Sequence, residues 1–414
     1  MRIAFLTTRL FETPSSGGEI CSARLADALR TAGHELVGLG RADHPAHTGQ
    51  EIVLGPLGRP FDDLGRAEQL ATLSASWLSG RACTVQRLVA GRAAHRAAQG
   101  LSQLQRDGLD LIVVDHLQSF ALLRGLDELP PLMLVMHNVE SAGYLERARR
   151  IDAHGPAGLL QRHVLRRESH RLRVLERLAL DASAAVACLS EDDASHLRAL
   201  IRGRSRAPAV EVLPGYPATP LAPPRPAGDG LQRIGLIGTW TWGPNRDALR
   251  WMLGEVLPRL PAHCRLVLAG TGLDGWTLPP RCESLGRVAD ARTLYEAVDL
   301  VAVPSLHGSG VQEKAIEATG SGRPVVATPH ALRGLGPALP LHVHAAEGAA
   351  HFAQLCASVQ PALDAGPALD AWASARRHRY AAALSRCLNA ARQQAAATRV
   401  RPAPLGRAAQ SESC

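Results

Sequence analysis

The sequence predicts an α/β protein of two successive domains, each a parallel sheet flanked by helices. Three observations carry this. The chain has 414 residues, about twice the usual size of one domain. It opens as strand, glycine-bearing turn, helix and strand, and that alternation restarts after a proline-rich stretch near the middle. Hydrophobic residues make up 46% and aromatic ones only 4%, so two cores can be buried and must be built from Leu, Val, Ile and Ala.

The elements run in this order. Residues 2–7 form an apolar strand, and 14–18 a Pro/Ser/Gly loop. A helix over 20–32 places Ala23, Ala26 and Leu29 on one face, Gly33 closes it, and 35–39 is the second strand. Helices are expected over 62–78 and 91–106. A buried strand at 109–114 runs into Asp115 and His116, and 118–126 is expected to be helical. The strand 132–136 runs into His137 and Asn138. Residues 144–180 read as mostly helix, interrupted around 155–158. A strand at 184–189, a capped helix at 193–200 and a strand at 210–213 complete the first half. The segment PATPLAPPRPAGDG (217–230) reads as a linker. Beyond it, strands are expected at 233–237, 265–269, 283–285, 300–303 and 324–327, with helices at 245–257, 291–297 and 310–319. The domains are therefore 1–216 and 231–375. A terminal helix over 376–397 is expected to pack back on the first domain, with a disordered tail over 398–414 after it. Both domains read as Rossmann-like, and strand C-terminal ends facing a common cleft are where ligands of such sheets bind.

Basic residues number 46 and acidic ones 38, a net charge of +8 that suits anionic partners. No aromatic-studded basic stripe points to nucleic acid. The eight cysteines include no C-x-x-C pair, which fits reduced thiols in the cytoplasm. The N-terminus reads as a strand and not a signal peptide, and no run of about 18 apolar residues is present. Nine arginines lie between 147 and 177. They fit either peripheral contact with an anionic inner-membrane face or a solvated helix with pairs such as Glu146–Arg150.

The stretch VPSLHGSGVQEKAIEATGSGRPVVATP (303–329) carries the most chemistry. A strand ends, a Gly-Ser-Gly turn comes next at Gly308, Ser309 and Gly310, and a helix is expected to begin at once. Amide-rich helix starts suit a diphosphate, and glycines let the backbone approach it. Glu317, two turns further in, is placed to accept ribose hydroxyls. Lys314, the only lysine of the chain, adds charge near the phosphates. The bland alternative is a surface helix with a solvated Lys/Glu pair.

This stretch resembles the nucleotide-binding signature of the retaining glycosyltransferase family 4 (glycosyltransferase group 1), which implies the two-domain GT-B fold. Glu317 matches the second Glu of the family's Glu-x7-Glu motif, and Gly320 to Val326 match its small-residue turn and Pro-Val-Val strand. Ser309 stands where the first Glu would be, a departure. The Gly-Ser-Gly turn with a Lys before the final Glu is closer to a sub-branch linked to exopolysaccharide and other cell-surface glycans. PSSGGEICSARLADALRTAGHE resembles the family's Gly-Gly loop, with Gly17 and Gly18. LMLVMHNVES resembles the strand end that carries a His near the transferred sugar, here His137, with His116, Asn138 and Glu140 on the acceptor side. IGLIGTWTWGPNRDALRWML resembles the glycine-ended strand of the nucleotide domain, with Gly238 and Thr239. Thr239 and Pro244 replace the family's Arg and Lys, leaving Arg246 and Lys314 as diphosphate partners. Trp240 and Trp242 read equally as cleft lining or core. In ESLGRVADARTLYEAVDLVAVPS, Arg287 and Val288 lie at the turn that meets the base, and Val311 completes the phosphate turn.

The resemblance implies transfer of a hexosyl-type sugar, with retention, from a nucleotide-diphosphate sugar to a glycan or lipid-linked acceptor. His137, Arg246 and Lys314 are the candidate catalytic residues. No metal or other cofactor is expected: the nucleotide sugar is a substrate, and no Asp-x-Asp motif is evident. The GTGLDG segment (270–275) matches a dinucleotide fingerprint, but prolines stand where a helix must start. A nucleotide-sugar 2-epimerase and a degenerate binding or regulatory subunit remain open alternatives.

Overall fold

Long apolar runs spaced by helices fold here as two parallel sheets. The computed structural model describes residues 1–397 except 11–13, 15, 44–49, 60, 62–63, 127, 152–153, 205, 219–229, 309, 337 and 360–365. The chain divides into two compact units, Met1–Leu213 with Ala382–Cys414, and Pro214–Ala381. Most of the linker expected at 217–230, and all of the tail expected at 398–414, lie outside the described residues.

The first unit holds β1 (Arg2–Arg9), β2 (Glu35–Arg41), β3 (Glu51–Val53), β4 (Leu111–Asp115), β5 (Leu132–Met136), β6 (Ala185–Cys188) and β7 (Ala209–Val212). Their order is β3-β2-β1-β4-β5-β6-β7, and every pairing is parallel. Every residue of β4, β5 and β6 is buried, which is why these strands read as continuous apolar runs and not as alternation. Strand order reverses between β1 and β4, so the crevice beyond their C-terminal ends is the topological switch point.

The second unit holds β8 (Gln232–Ile237), β9 (Cys264–Ala269), β10 (Cys282–Gly286), β11 (Leu300–Val303), β12 (Val325–Ala327) and β13 (Val343–Ala345). Their order, β10-β9-β8-β11-β12-β13, puts this unit's switch point between β8 and β11. The last helix runs unbroken over Gly366–Ala397. Its turns from Ala382 belong to the first unit, where Arg386 pairs with Glu211 at 2.7 Å.

Several expected elements shift. The first helix begins at Gly17, where Ser16 caps it by accepting the Glu19 N–H at 3.3 Å, so Gly17 and Gly18 are helical and not loop residues. The expected helix over 118–126 is a 3₁₀ segment, Leu117–Leu123, the one over 91–106 stands as Ala93–Arg106, and a further short helix, Cys83–Val89, precedes it. The helix expected from Gly310 begins at Glu313, because positive φ at Gly308 and Gly310 and an extended Gln312 hold the preceding turn out of helix.

Candidate functional site

Each unit carries polar residues at its own switch point. In the first, Asp115 ends β4 and is fully buried. Its Oδ2 accepts the Thr7 hydroxyl at 2.8 Å and the Ser22 hydroxyl at 2.6 Å, and its Oδ1 lies 2.7 Å from His137 Nε2. Thus β1, the helix Gly17–Thr31, β4 and the turn after β5 converge on one carboxylate. Burial alone would push this carboxyl up; the neighbouring His116 and His137 charges and the hydrogen bonds hold it well below the usual carboxylate range.

His116 comes next at φ 67°, the one positive φ outside glycine among the described residues. Such backbone costs about 1–3 kcal/mol and tends to collect at functional sites. Its ring stacks on that of His137, centroids 3.7 Å apart and planes 17° from parallel. A Cβ added to Gly18 would stand 3.6 Å from His116 Cε1, so the first turn of the helix Gly17–Thr31 borders this pair. Asp115, His116 and His137 bring three potential metal-ligand atoms within 4.8 Å of one another. Stacked rings, however, aim their in-plane lone pairs side by side and not at one point. The group fits a hydrogen-bonded cluster better than a coordination sphere. Asn138 adjoins His137, and Glu140 opens the helix Glu140–Arg150. Burial pushes the Glu140 carboxyl up, against a hydrogen bond from Gln118.

Burial, aided by the His137 charge, lowers the His116 pKa to about 4. An unfolded His titrates near about 6.5, so between those pH values the unfolded chain binds more protons. The stability this neutral ring contributes is complete above the unfolded value and is lost as pH falls towards the folded one. Denaturant melts are expected to show unfolding free energy falling by about 1 kcal/mol per pH unit across this window. His116→Asn, which tolerates the positive φ, should remove that part of the slope; an identical slope in the variant would refute the assignment.

In the second unit the turns after β8 and β11 are tied together. Asn245 donates to the Thr239 carbonyl at 3.1 Å and accepts the Lys314 ammonium at 2.7 Å. A Cβ on Gly238 would stand 2.9 Å from Asn245 Nδ2, so only glycine leaves room for this link. His307 and Asp247 add a second tie at 3.0 Å. Burial lowers the Lys314 pKa to about 8. The 308–310 turn is braced from outside: Arg333 Nη2 donates to the Gly308 carbonyl at 2.8 Å and the Gly310 carbonyl at 3.1 Å. Val311 packs where a side chain on Gly334 would be, within 2.7 Å of its missing Cβ. Ser309 lies outside the described residues. No side-chain cap closes the helix Glu313–Gly320 at Gln312. Glu317 is 6% exposed, and both its oxygens lie 3.1 Å from the Ala218 N–H.

The structure thus brings Gly18, His116 and His137 together in one unit, and Gly238, Thr239 and Lys314 in the other. Arg246 and Arg287 are exposed and join neither group, while Val288 is half-buried against the core of the second unit. Trp240 is core, its Nε1 donating to the Ala269 carbonyl at 3.2 Å, and Trp242 is exposed. Sequence reasoning missed Thr7, Ser22, Asp115, Asn245 and Arg333 as site residues. Only Asp115 carried a local signal, its place at the end of a buried strand.

Residues 232–354 match the family model of glycosyl transferases group 1. The comparison with curated proteins gives no match. Among solved structures, sucrose-phosphate synthase from Thermosynechococcus elongatus is 18% identical, with a TM-score of 0.60, covering 96% of this chain and 100% of that one. Anabaena HepE, in complex with UDP and glucose, is 17% identical with a TM-score of 0.53, covering 96% and 98%. The apo lipopolysaccharide outer core galactosyltransferase WaaB is 12% identical with a TM-score of 0.54, covering 95% and 99%. The chain has the GT-B fold, and residues 232–354, within its second unit, are similar to glycosyl transferases group 1.

Proposed function

We propose that this protein transfers a hexosyl-type sugar, with retention and without a metal, from a nucleotide-diphosphate sugar to a glycan or lipid-linked acceptor during assembly of cell-surface polysaccharide or glycoconjugate. One observation carries the reading: Lys314, on the helix after β11, is tied through Asn245 to the turn after β8, and Glu317 is buried one turn further along the same helix. The glycine turn 308–310 and Lys314 take the diphosphate, and Glu317 takes the ribose. The match to the glycosyl transferases group 1 model and the likeness to HepE, solved with UDP and glucose, support this. His137, with Asp115 behind it, serves the transferred sugar. The bond from the anomeric carbon to the diphosphate oxygen breaks, the acceptor oxygen bonds to the same face, and its proton leaves on the departing phosphate. Preorganised charge at the diphosphate lowers the barrier.

A panel of nucleotide sugars tests this directly. Binding by ligand-detected NMR, release of nucleoside diphosphate only with acceptor present, and an unchanged anomeric configuration in the product are expected. Interconversion of the donor alone, or binding without turnover, would refute it. Lys314 gives a second check. Because its ammonium loses its proton from about pH 8, nucleoside diphosphate affinity by calorimetry should weaken as pH rises past that value. Lys314→Arg should keep affinity flat, and Lys314→Met should weaken it about tenfold even at pH 7.

A further inference from the structure

The largest exposed apolar side chains of the first unit lie on two adjoining helices. Of the nine exposed large hydrophobic residues among those described, six are Leu70, Trp77, Leu78, Leu159, Leu160 and Val174. The first three lie on the helix Arg66–Ser79 and the others on Pro156–Ala182. The helices meet where Arg167 lays its guanidinium over the Trp77 ring, 3.6 Å from the centroid, and where Arg171 donates to Ser76 Oγ at 2.7 Å. Leu160, Arg167 and Val174 recur every seven residues, which is one helix face.

Between residues 159 and 177 the exposed charges are all arginines. Arg166, Arg173 and Arg177 are exposed. Glu168 and Glu176 point inward, 4% and 0% exposed, where Glu168 accepts the Cys83 N–H and Glu176 accepts the N–H and hydroxyl of Ser141. The pairing expected for a solvated helix occurs on the preceding one, between Glu146 and Arg150 at 2.7 Å. The exposed acids of the two helices, Glu68 and Asp181, are each paired with an arginine, Arg59 and Arg204; unpaired arginines pointing outward with Leu and Trp among them is the composition of a surface that lies in a membrane interface. Solvent alone gives no reason to gather these apolar side chains in one place.

We infer that this two-helix face docks on an anionic phospholipid surface, with Trp77, Leu78 and the exposed leucines entering the headgroup region and the arginines meeting lipid phosphates. The inference is independent of the reaction proposed above, since it concerns the unliganded full-length chain. The test is co-sedimentation with vesicles of equal parts phosphatidylglycerol and phosphatidylcholine, against pure phosphatidylcholine. The protein should sediment with the anionic vesicles, less so as salt rises. Trp77→Ser/Leu78→Ser and Arg166→Glu/Arg173→Glu should each weaken partitioning by about tenfold or more. All four positions are exposed, and circular dichroism melts should match the parent chain. Failure of the parent chain to bind, or equal binding by both variants, would overturn the inference. So would a Trp77→Ser/Leu78→Ser variant that turns an oligomer into a monomer while vesicle binding persists, which would make the face a protein contact.

Discussion

Glu317→Gln is expected to lower nucleoside diphosphate affinity at least about tenfold while leaving the melting temperature nearly unchanged. The carboxylate already serves the fold: both oxygens sit 3.1 Å from the Ala218 N–H, and Gly320, one turn on, is so close to Pro217 that an added Cβ would stand 2.1 Å from its Cβ. Glu317 thereby fastens the chain entering the second unit onto the helix Glu313–Gly320. A carboxylate offers about four lone-pair positions, more than the Ala218 N–H takes. Glutamine keeps one acceptor oxygen for Ala218 but loses the charge and the second acceptor. A hydrogen bond to a charged group contributes about 1.5–3 kcal/mol, which is roughly a tenfold to hundredfold change in affinity. Glu317→Ala removes both duties and should also cost about 1–2 kcal/mol of stability. Calorimetry with inorganic pyrophosphate, which lacks a ribose, separates the two: its affinity should be the same in the parent chain and in Glu317→Gln. Unaltered nucleoside diphosphate affinity in that variant would place the ribose elsewhere.

The range of the forces involved decides which elements were legible in the sequence and which were hidden. β4 and β5 were legible because a strand buried on both faces must be apolar at every position. β3 and β13 went unread: each has three residues, and β3 is only half-buried. The helix start at Glu313 was misplaced because a run of Gly, Val and Gln has no capping side chain to mark it, and the positive φ at Gly310 is a property of the packed turn. Glu317 and the Gly308–Gly310 turn stood out through local spacing. Their supports did not. Arg333 reaches back over more than twenty residues to the turn, and Asn245 meets Lys314 across 69. The hydroxyls on Asp115 come from 108 and 93 residues away. No periodicity in a single chain announces such partners; only the parallel topology, which gathers strand ends, brings them together.

Asp115 is where that hidden network should have its largest effect. Asp115→Ala would leave the Thr7 hydroxyl and the His137 Nε2–H without their acceptor, and the Ser22 hydroxyl with only the Gly18 carbonyl, around a carboxylate position closed to solvent. Breaking a buried charged network in this way costs on the order of 3–5 kcal/mol. Asp115→Asn is the sharper probe, because it keeps shape and one acceptor oxygen. Its amide must turn an N–H towards one of the three donors, and if that donor is His137 the ring must move its proton to Nδ1. That atom is buried with no hydrogen-bond partner, so the new tautomer leaves an unmet donor. Asp115→Asn should therefore lose about 2 kcal/mol of stability, and sugar transfer should fall about a hundredfold through kcat as His137 loses its orientation. The acid limb supplies a readout that packing loss alone would not change. A carboxyl held below its usual range contributes stability that is complete above the unfolded value near about 4 and disappears as pH drops through the folded value. Unfolding free energy of the parent chain should thus fall below about pH 4 more steeply than that of Asp115→Asn. In a double-mutant cycle Asp115→Asn and His137→Gln should be strongly non-additive, each removing most of what the other removes. Additive losses, with parallel acid limbs, would mean that Asp115 merely fills space and that His137 takes its orientation from elsewhere.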